Sequence, residues 1–170
     1  YDRLLLATGS TPFIPPLPGN DLQCVIGYRD IGDTQLMLDT ALTHQHAVVV
    51  GGGLLGLEAA NGLTLRGMQV TVIHKGQWLL DRQLDERAGK QLQTALERRG
   101  IRFRLGTPPK QLRGNKGGRV CAVDFNDGTS VAADLVVIAA GIRPNIQLAE
   151  RAGLACNGGI LVNDTLQTFD

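Results

Sequence analysis

The sequence predicts an α/β fold, a Rossmann-like βαβ parallel sheet with a small inserted antiparallel meander. Three observations predict it. Short β-branched runs alternate with helical apolar spacing from Ala47 to Leu105. A glycine cluster, Gly51-Gly52-Gly53-Leu54-Leu55-Gly56, stands between a strand and a helix. Glycine is also in excess, 22 of 170 residues, against a usual share of about 7%. With only 7 prolines and no period, that excess marks tight turns and close backbone approach rather than a fibrous chain.

The elements follow in order. Leu4-Leu5-Leu6-Ala7 reads as a buried strand. The proline-rich stretch Pro12 to Gly19 reads as an extended linker, since proline fixes φ and gives no ladder donor. Asp30 caps a helix to Thr43, with Ile31, Leu38 and Leu42 as its apolar positions. Ala47 to Val50 is a strand, Leu54 to Arg66 a helix with Gly67 at its C′ position, and Val70 to Ile73 a second strand. Asp85 caps a further helix that places Leu84, Ala88, Leu92 and Leu96 in one row and stops at Gly100. Ile101 to Leu105 is a third strand, and helices are expected on the faces of the resulting sheet. Gln111–Arg113, Arg119–Phe125 and Thr129–Ala132 are short strands joined by Asn- and Gly-rich turns, hence the meander. Leu135 to Ala139 is apolar throughout, as a strand covered on both faces should be. A turn over Gly141–Asn145, a short helix to Ala152 and a last strand over Gly158–Val162 complete the reading.

Composition excludes several functions. Apolar residues are 43% and charged residues 19%, enough for a core and too ordered for a disordered chain. The net charge of +1 gives no basic footprint for nucleic acid, and 4% aromatics give no base-stacking platform. No apolar run approaches the ~20 residues of a membrane span, so no membrane partner is expected. Cys24, Cys121 and Cys156 are isolated and form no C-x-x-C, so no metal ligand set is assigned. Each is expected to be a small buried hydrophobe in a reducing cytoplasm. His44 and His46 are expected in a surface loop, and no side chain is assigned as catalytic.

The glycine cluster carries the chemistry. Gly51 makes the tight strand-to-helix turn, Gly53 lets the backbone approach a pyrophosphate, and Gly56 lets helix and strand pack closely. Around them, Gly52, Leu54 and Leu55 belong to the helix start, whose free N–H groups and partial positive charge suit an anion. A nicotinamide dinucleotide is the expected ligand. The second strand should end at the adenine ribose, where an Asp or Glu would bond the 2′-hydroxyl. His74 stands there instead, followed by Lys75, with Arg82 further on. These positive or potentially positive groups make a 2′-phosphate acceptable, so NAD and NADP both remain open. Trp78 either covers the adenine edge or packs internally.

The run Val48 to Ala60, with Tyr1 to Ser10 upstream and Leu135 to Asn145 downstream, resembles FAD-dependent pyridine-nucleotide reductases. Arg82-Gln83-Leu84-Asp85 and Gly158 to Thr168 are most similar to the assimilatory nitrite reductases of that family. The resemblance implies a division into residues 1–29, a remnant of an FAD-binding domain, 30–145, the NAD(P)-binding domain, and 146–170, a return to the FAD-binding domain. It implies that Glu58 lies near the nicotinamide end, that Gly141 approaches the cofactor, and that Arg82 can meet a 2′-phosphate. It implies hydride delivery from NAD(P)H to FAD in an intact flavoprotein, with the electrons then passing to an iron–sulfur cluster and siroheme for reduction of nitrite to ammonia. The first residues, lacking Met, read as an excised piece, so the fragment alone is expected to be inactive. A reductase of a rubredoxin or ferredoxin carrier is the alternative, and a stand-alone dinucleotide-binding module is a further one.

Overall fold

The computed structural model describes residues 2–169. Its elements run β1 (Ser10–Pro12), β2 (Val25–Gly27), α1 (Ile31–Thr43), β3 (His46–Val50), α2 (Leu54–Leu65), β4 (Gln69–His74), α3 (Glu86–Glu97), β5 (Arg102–Leu105), β6 (Pro109–Gly114), β7 (Val120–Phe125), β8 (Ser130–Ala132), β9 (Leu135–Ile138), β10 (Ile142–Pro144) and α4 (Gln147–Arg151). They fall into two compact units. The larger comprises Phe13–Gly141; the smaller joins the residues up to Pro12 with those from Ile142 onward.

In the larger unit a five-stranded sheet has the order β2-β9-β3-β4-β5, and each neighbouring pair is parallel. Strand periodicity decides what covers it. Ala47, Val49, Val70, Val72, Leu135 and Val137 face one way, onto Met37 of α1, Leu57, Ala60 and Leu63 of α2, and Leu96 of α3. Val48, Val50, Ile73, Val136 and Ile138 face the other way, onto Leu112, Val120, Val123 and Phe125 of the meander. The expectation of helices on both faces is therefore corrected. No helix lies between β5 and β9, and the antiparallel sheet β6-β7-β8 covers the second face instead.

Asp134 ties the sheet together at the N-terminal end of its strands. Its carboxylate accepts from the backbone N–H of Gln45 at 3.2 Å and of His46 at 2.9 Å. Burial alone would raise this carboxyl; the His46 and Gln45 N–H groups outweigh it and hold the pKa below the usual 3.8.

Several local expectations change. Leu4 to Ala7 forms no strand, and Leu5 is 86% exposed. A strand needs a ladder partner, and among the described residues that run has none; the pairing begins at Ser10. The turn expected over Gly141–Asn145 contains β10, which pairs antiparallel with β1 in the smaller unit. Gly158–Val162 forms no strand: Cys156 to Ile160 make a tight turn closed by a Cys156–Ile160 bridge, and Leu161 and Val162 follow without regular structure. β2 was not expected at all; it hydrogen-bonds to β9, so the sheet extends to the N-terminal side of residue 29. Helix α1 is capped by Asp30 as expected, but Met37 and Thr40 form its buried face, while Ile31 and Leu42 are exposed. Cys121 is exposed, and Cys24 and Cys156 are half-buried, so none is fully buried. His46 starts β3 rather than lying in a loop, and His44 is half-buried just before it, at the C-cap of α1.

Candidate functional site

In an open parallel sheet, ligands bind beyond the C-terminal strand ends, where the strand order reverses. Here the reversal lies between β3 and β9, since β4 and β5 extend to one side of β3 and β9 and β2 to the other. A cleft of about 490 Å³ opens at that place. Its floor is Val50 to Gly53 after β3, Ile73 to Lys75 at the end of β4, and Ala139 to Gly141 after β9.

The glycines do separable work. Gly51 has φ +130°, and a Cβ there would lie 2.3 Å from the Ala139 carbonyl oxygen. Only a bare α-carbon lets the chain turn this closely under the neighbouring strand end. Gly56 packs the helix onto that same turn, because its Cβ would lie 2.0 Å from the Gly51 oxygen. Gly53 is different: a Cβ there would meet nothing within 4 Å. The fold therefore leaves space above Gly53 that packing does not use.

Helix α2 begins at this space, and its beginning is unlike those of α1 and α3. Asp30 accepts from the Asp33 N–H, and Asp85 accepts from the Ala88 N–H. Gly53 caps α2 with no side-chain hydrogen bond, and the first turn carries no acid. The donor end of α2 thus has no side-chain partner from its cap, and its helix dipole suits it to an anion.

The segment after β4 folds back onto the glycine turn. Leu80 donates its N–H to the Gly52 carbonyl at 3.0 Å, and it does so at φ +53°, a strained conformation for leucine. Trp78 packs internally: its Nε1–H donates to the Leu84 carbonyl at 3.0 Å, and its ring fills the space beside Gly89. From the loop after β4 it packs against α3 and does not line the cleft, so of the two readings the packing one holds.

Of the residues expected in the site, Gly51, Gly52, Gly53, His74, Lys75, Arg82 and Gly141 line this one cleft. Gly56 is buried beneath it, and Leu54 and Leu55 are exposed on the first turn of α2. Glu58 is exposed on α2 and does not line the cleft. His74 is 8% exposed, and its Nδ1 accepts the Gly52 N–H at 3.2 Å, so the ring supports the turn from below. Sequence reasoning missed two contributions. Phe13, Pro15, Pro16 and Leu17 form a wall, so the proline-rich stretch is part of the site rather than a plain linker. Asp81 also lines the cleft, although no acid ends β4. A search for an acid at the strand end passes over a residue presented by the following loop.

A β-strand, a glycine turn and an uncapped helix at the switch point of a parallel sheet define a dinucleotide-binding domain of Rossmann type. The chain belongs to the pyridine nucleotide-disulphide oxidoreductase family, which it matches over residues 1–170. It is 51% identical over 168 residues to nitrite reductase [NAD(P)H] of Bacillus subtilis (strain 168), covering 99% of this chain and 21% of that protein. It is 48% identical over 171 residues to the assimilatory nitrate reductase electron transfer subunit of the same organism, covering 100% of this chain and 22% of that protein. Among solved structures, the covalent complex of putidaredoxin reductase with putidaredoxin superposes with a TM-score of 0.92 at 31% identity, covering 99% of this chain and 41% of that one. The chain thus spans about a fifth of the length of those two Bacillus relatives.

Among the described residues no helix is long and apolar enough to cross a membrane, and no group of three or more His, Cys, Asp or Glu side chains could hold a metal ion.

Proposed function

We propose that this chain is the NAD(P)H-binding part of a flavoprotein reductase, and that the intact protein passes hydride from NAD(P)H to FAD and the electrons of the reduced flavin onward to reduce nitrite to ammonia. The observation that carries the reading is the uncapped, acid-free start of α2 facing the open space at Gly53, at the switch point of the sheet. A pyrophosphate fits that donor set. Gly51 and Gly56 fix the turn, Gly52 is braced by its N–H to His74 Nδ1, and Leu54 and Leu55 present backbone N–H groups at the helix start. Gly141, at φ +135° beside the β9 end, gives the nicotinamide half a close approach to backbone. Glu58, one turn into α2, is assigned to the nicotinamide side, where it would meet the rest of the flavoprotein. When bound, the nicotinamide supplies the hydride; the chain's own residues bind and orient it.

The smaller unit is assigned to the FAD-binding part. In it Thr8 and Asn145 exchange side-chain and backbone hydrogen bonds, at 2.6 and 2.9 Å, so the two segments that resemble FAD-domain runs pair with each other. The iron–sulfur cluster and siroheme of a nitrite reductase are assigned to other parts of the intact protein. A second reading, an NAD(P)H reductase of a separate electron carrier, draws support from the likeness to putidaredoxin reductase and to the nitrate reductase electron transfer subunit.

The test is anaerobic mixing of the full-length protein with NADH or NADPH, followed by addition of nitrite. Bleaching of the flavin band and consumption of nitrite are expected. Bleaching without nitrite consumption, but with reduction of an added ferredoxin or rubredoxin, favours the second reading. A flavin that neither dinucleotide reduces would overturn both.

A further inference from the structure

The strand-end acid that would select NAD over NADP is absent from β4, yet a carboxylate reaches the same cleft by another route. Asp81 lies in the loop after β4 and lines the cleft together with His74, Lys75 and Arg82. Its Oδ1 is 3.4 Å from His74 Nε2. That nitrogen is buried and has no hydrogen-bond partner. His74 Nδ1 accepts the Gly52 N–H, which in the neutral ring leaves the proton on Nε2, turned toward Asp81. The chain leaves room for this juxtaposition. A Cβ on Gly76 would lie 2.5 Å from Asp81 Oδ2 and 2.7 Å from His74 Nε2, so only glycine permits the carboxylate to sit over the ring.

Resting on the dinucleotide-binding reading above, the geometry points to Asp81 as the residue that selects the unphosphorylated dinucleotide. His74 is its positioning residue. The carboxylate accepts hydrogen bonds from the hydroxyls of the adenine-side ribose and repels a 2′-phosphate. Lys75 and Arg82 do not reverse the choice. Both are exposed, and neither has an ion pair or hydrogen bond to fix it among the described residues. They attract the pyrophosphate that both dinucleotides share, and salt screens them. Asp81 sits over the ring, 3.4 Å from Nε2, where Gly76 leaves room for it, so its repulsion falls on the one group that differs.

The experiment is calorimetric titration of the full-length protein with NAD⁺ and NADP⁺, for the wild type, Asp81→Asn, Gly76→Ala and the double variant Lys75→Ala/Arg82→Ala. The wild type is expected to bind NAD⁺ more tightly. Asp81→Asn is expected to shrink the NAD⁺:NADP⁺ affinity ratio roughly tenfold, the effect of about 1.4 kcal/mol of like-charge repulsion at a partly exposed site. Gly76→Ala is expected to shrink the ratio in the same direction by displacing the carboxylate. The double variant is expected to weaken both ligands by a similar factor, leaving the ratio unchanged. A merely structural role of Asp81 would weaken both ligands together and leave the ratio where it was. That result, or tighter NADP⁺ binding by the wild type, overturns the assignment while the binding site stands. Binding of neither dinucleotide to the folded wild type overturns the site itself, and the selection with it.

Discussion

Two glycines of α2 are expected to respond to alanine with opposite signs. Gly62 is exposed, and a Cβ there would meet nothing within 4 Å. Alanine at such a position lowers backbone entropy in the unfolded chain and improves helix propensity, a gain of about 1 kcal/mol. Gly56 has the same intrinsic preference, but its Cβ would lie 2.0 Å from the Gly51 carbonyl oxygen and 3.0 Å from the carbonyl carbon. Ordinary contact begins at 3.4 Å, so helix and turn must part by more than an ångström. The neighbour is backbone, itself wedged against Ala139, and cannot rotate away. Overpacking of this kind costs about 1–3 kcal/mol, occasionally more. Backbone overlap belongs at the upper end, and after the propensity gain a net loss of about 2 kcal/mol remains. The assay is hydrogen exchange, read by mass spectrometry on peptides covering β3 and α2 in the full-length protein. Gly62→Ala is expected to slow exchange about fivefold and Gly56→Ala to speed it roughly thirtyfold. Equal protection in the two variants would refute the claim that close packing, rather than conformational freedom, holds glycine at position 56.

Gly53→Ala is expected to separate fold from function: no packing is lost, so stability falls by less than about 1 kcal/mol, while calorimetry shows dinucleotide affinity down at least roughly tenfold. Asp85→Ala removes the bond to the Ala88 N–H at 2.8 Å and is expected to destabilise α3 by about 1 kcal/mol, seen as faster exchange in α3 with dinucleotide binding unchanged. Asp134→Asn is expected to cost about 1 kcal/mol at neutral pH, a charged hydrogen bond discounted for partial exposure. Because the folded carboxyl is depressed below 3.8, this stabilisation is present above about pH 4 and lost as the pH falls through the folded value. Unfolding curves of wild type and variant should therefore converge in acid, and a gap that persists below that range would show that the charge is not what Asp134 contributes.

Much of the larger unit was legible because its signals are local. Val48-Val49-Val50 before Gly51 and Asp85 before Ala88 declare their elements within a few residues, and the structure places both as expected. What failed was non-local. Leu4 to Ala7 has strand composition but no ladder, and Val25–Gly27 is a strand only because β9 lies beside it. The apolar spacing of Ile31 and Leu42 suggested a core face, yet the side that meets α2 and the sheet is the one with Met37. In the site, the glycine turn was readable from its motif. Asp81 was not, because its relevance depends on how the loop after β4 folds back over His74, which no spacing rule states.

The order of the sheet also governs when the chain can fold. Strand β3 sits between β4, its near neighbour in sequence, and β9, whose Leu135 pairs with Ala47. β2 pairs with β9 alone. A nascent chain that has emerged only through the meander therefore has one side of β3 unpaired and β2 with no partner. Its Val48 and Val50 backbone is a bare strand edge, the kind that joins other chains. Strand β9, the last of this sheet to leave the ribosome, closes both gaps at once, so completion of the sheet awaits synthesis past Ile138 and rests on long-range contacts, which slow folding. Premature termination before Leu135 would leave a product prone to aggregate rather than a smaller working domain.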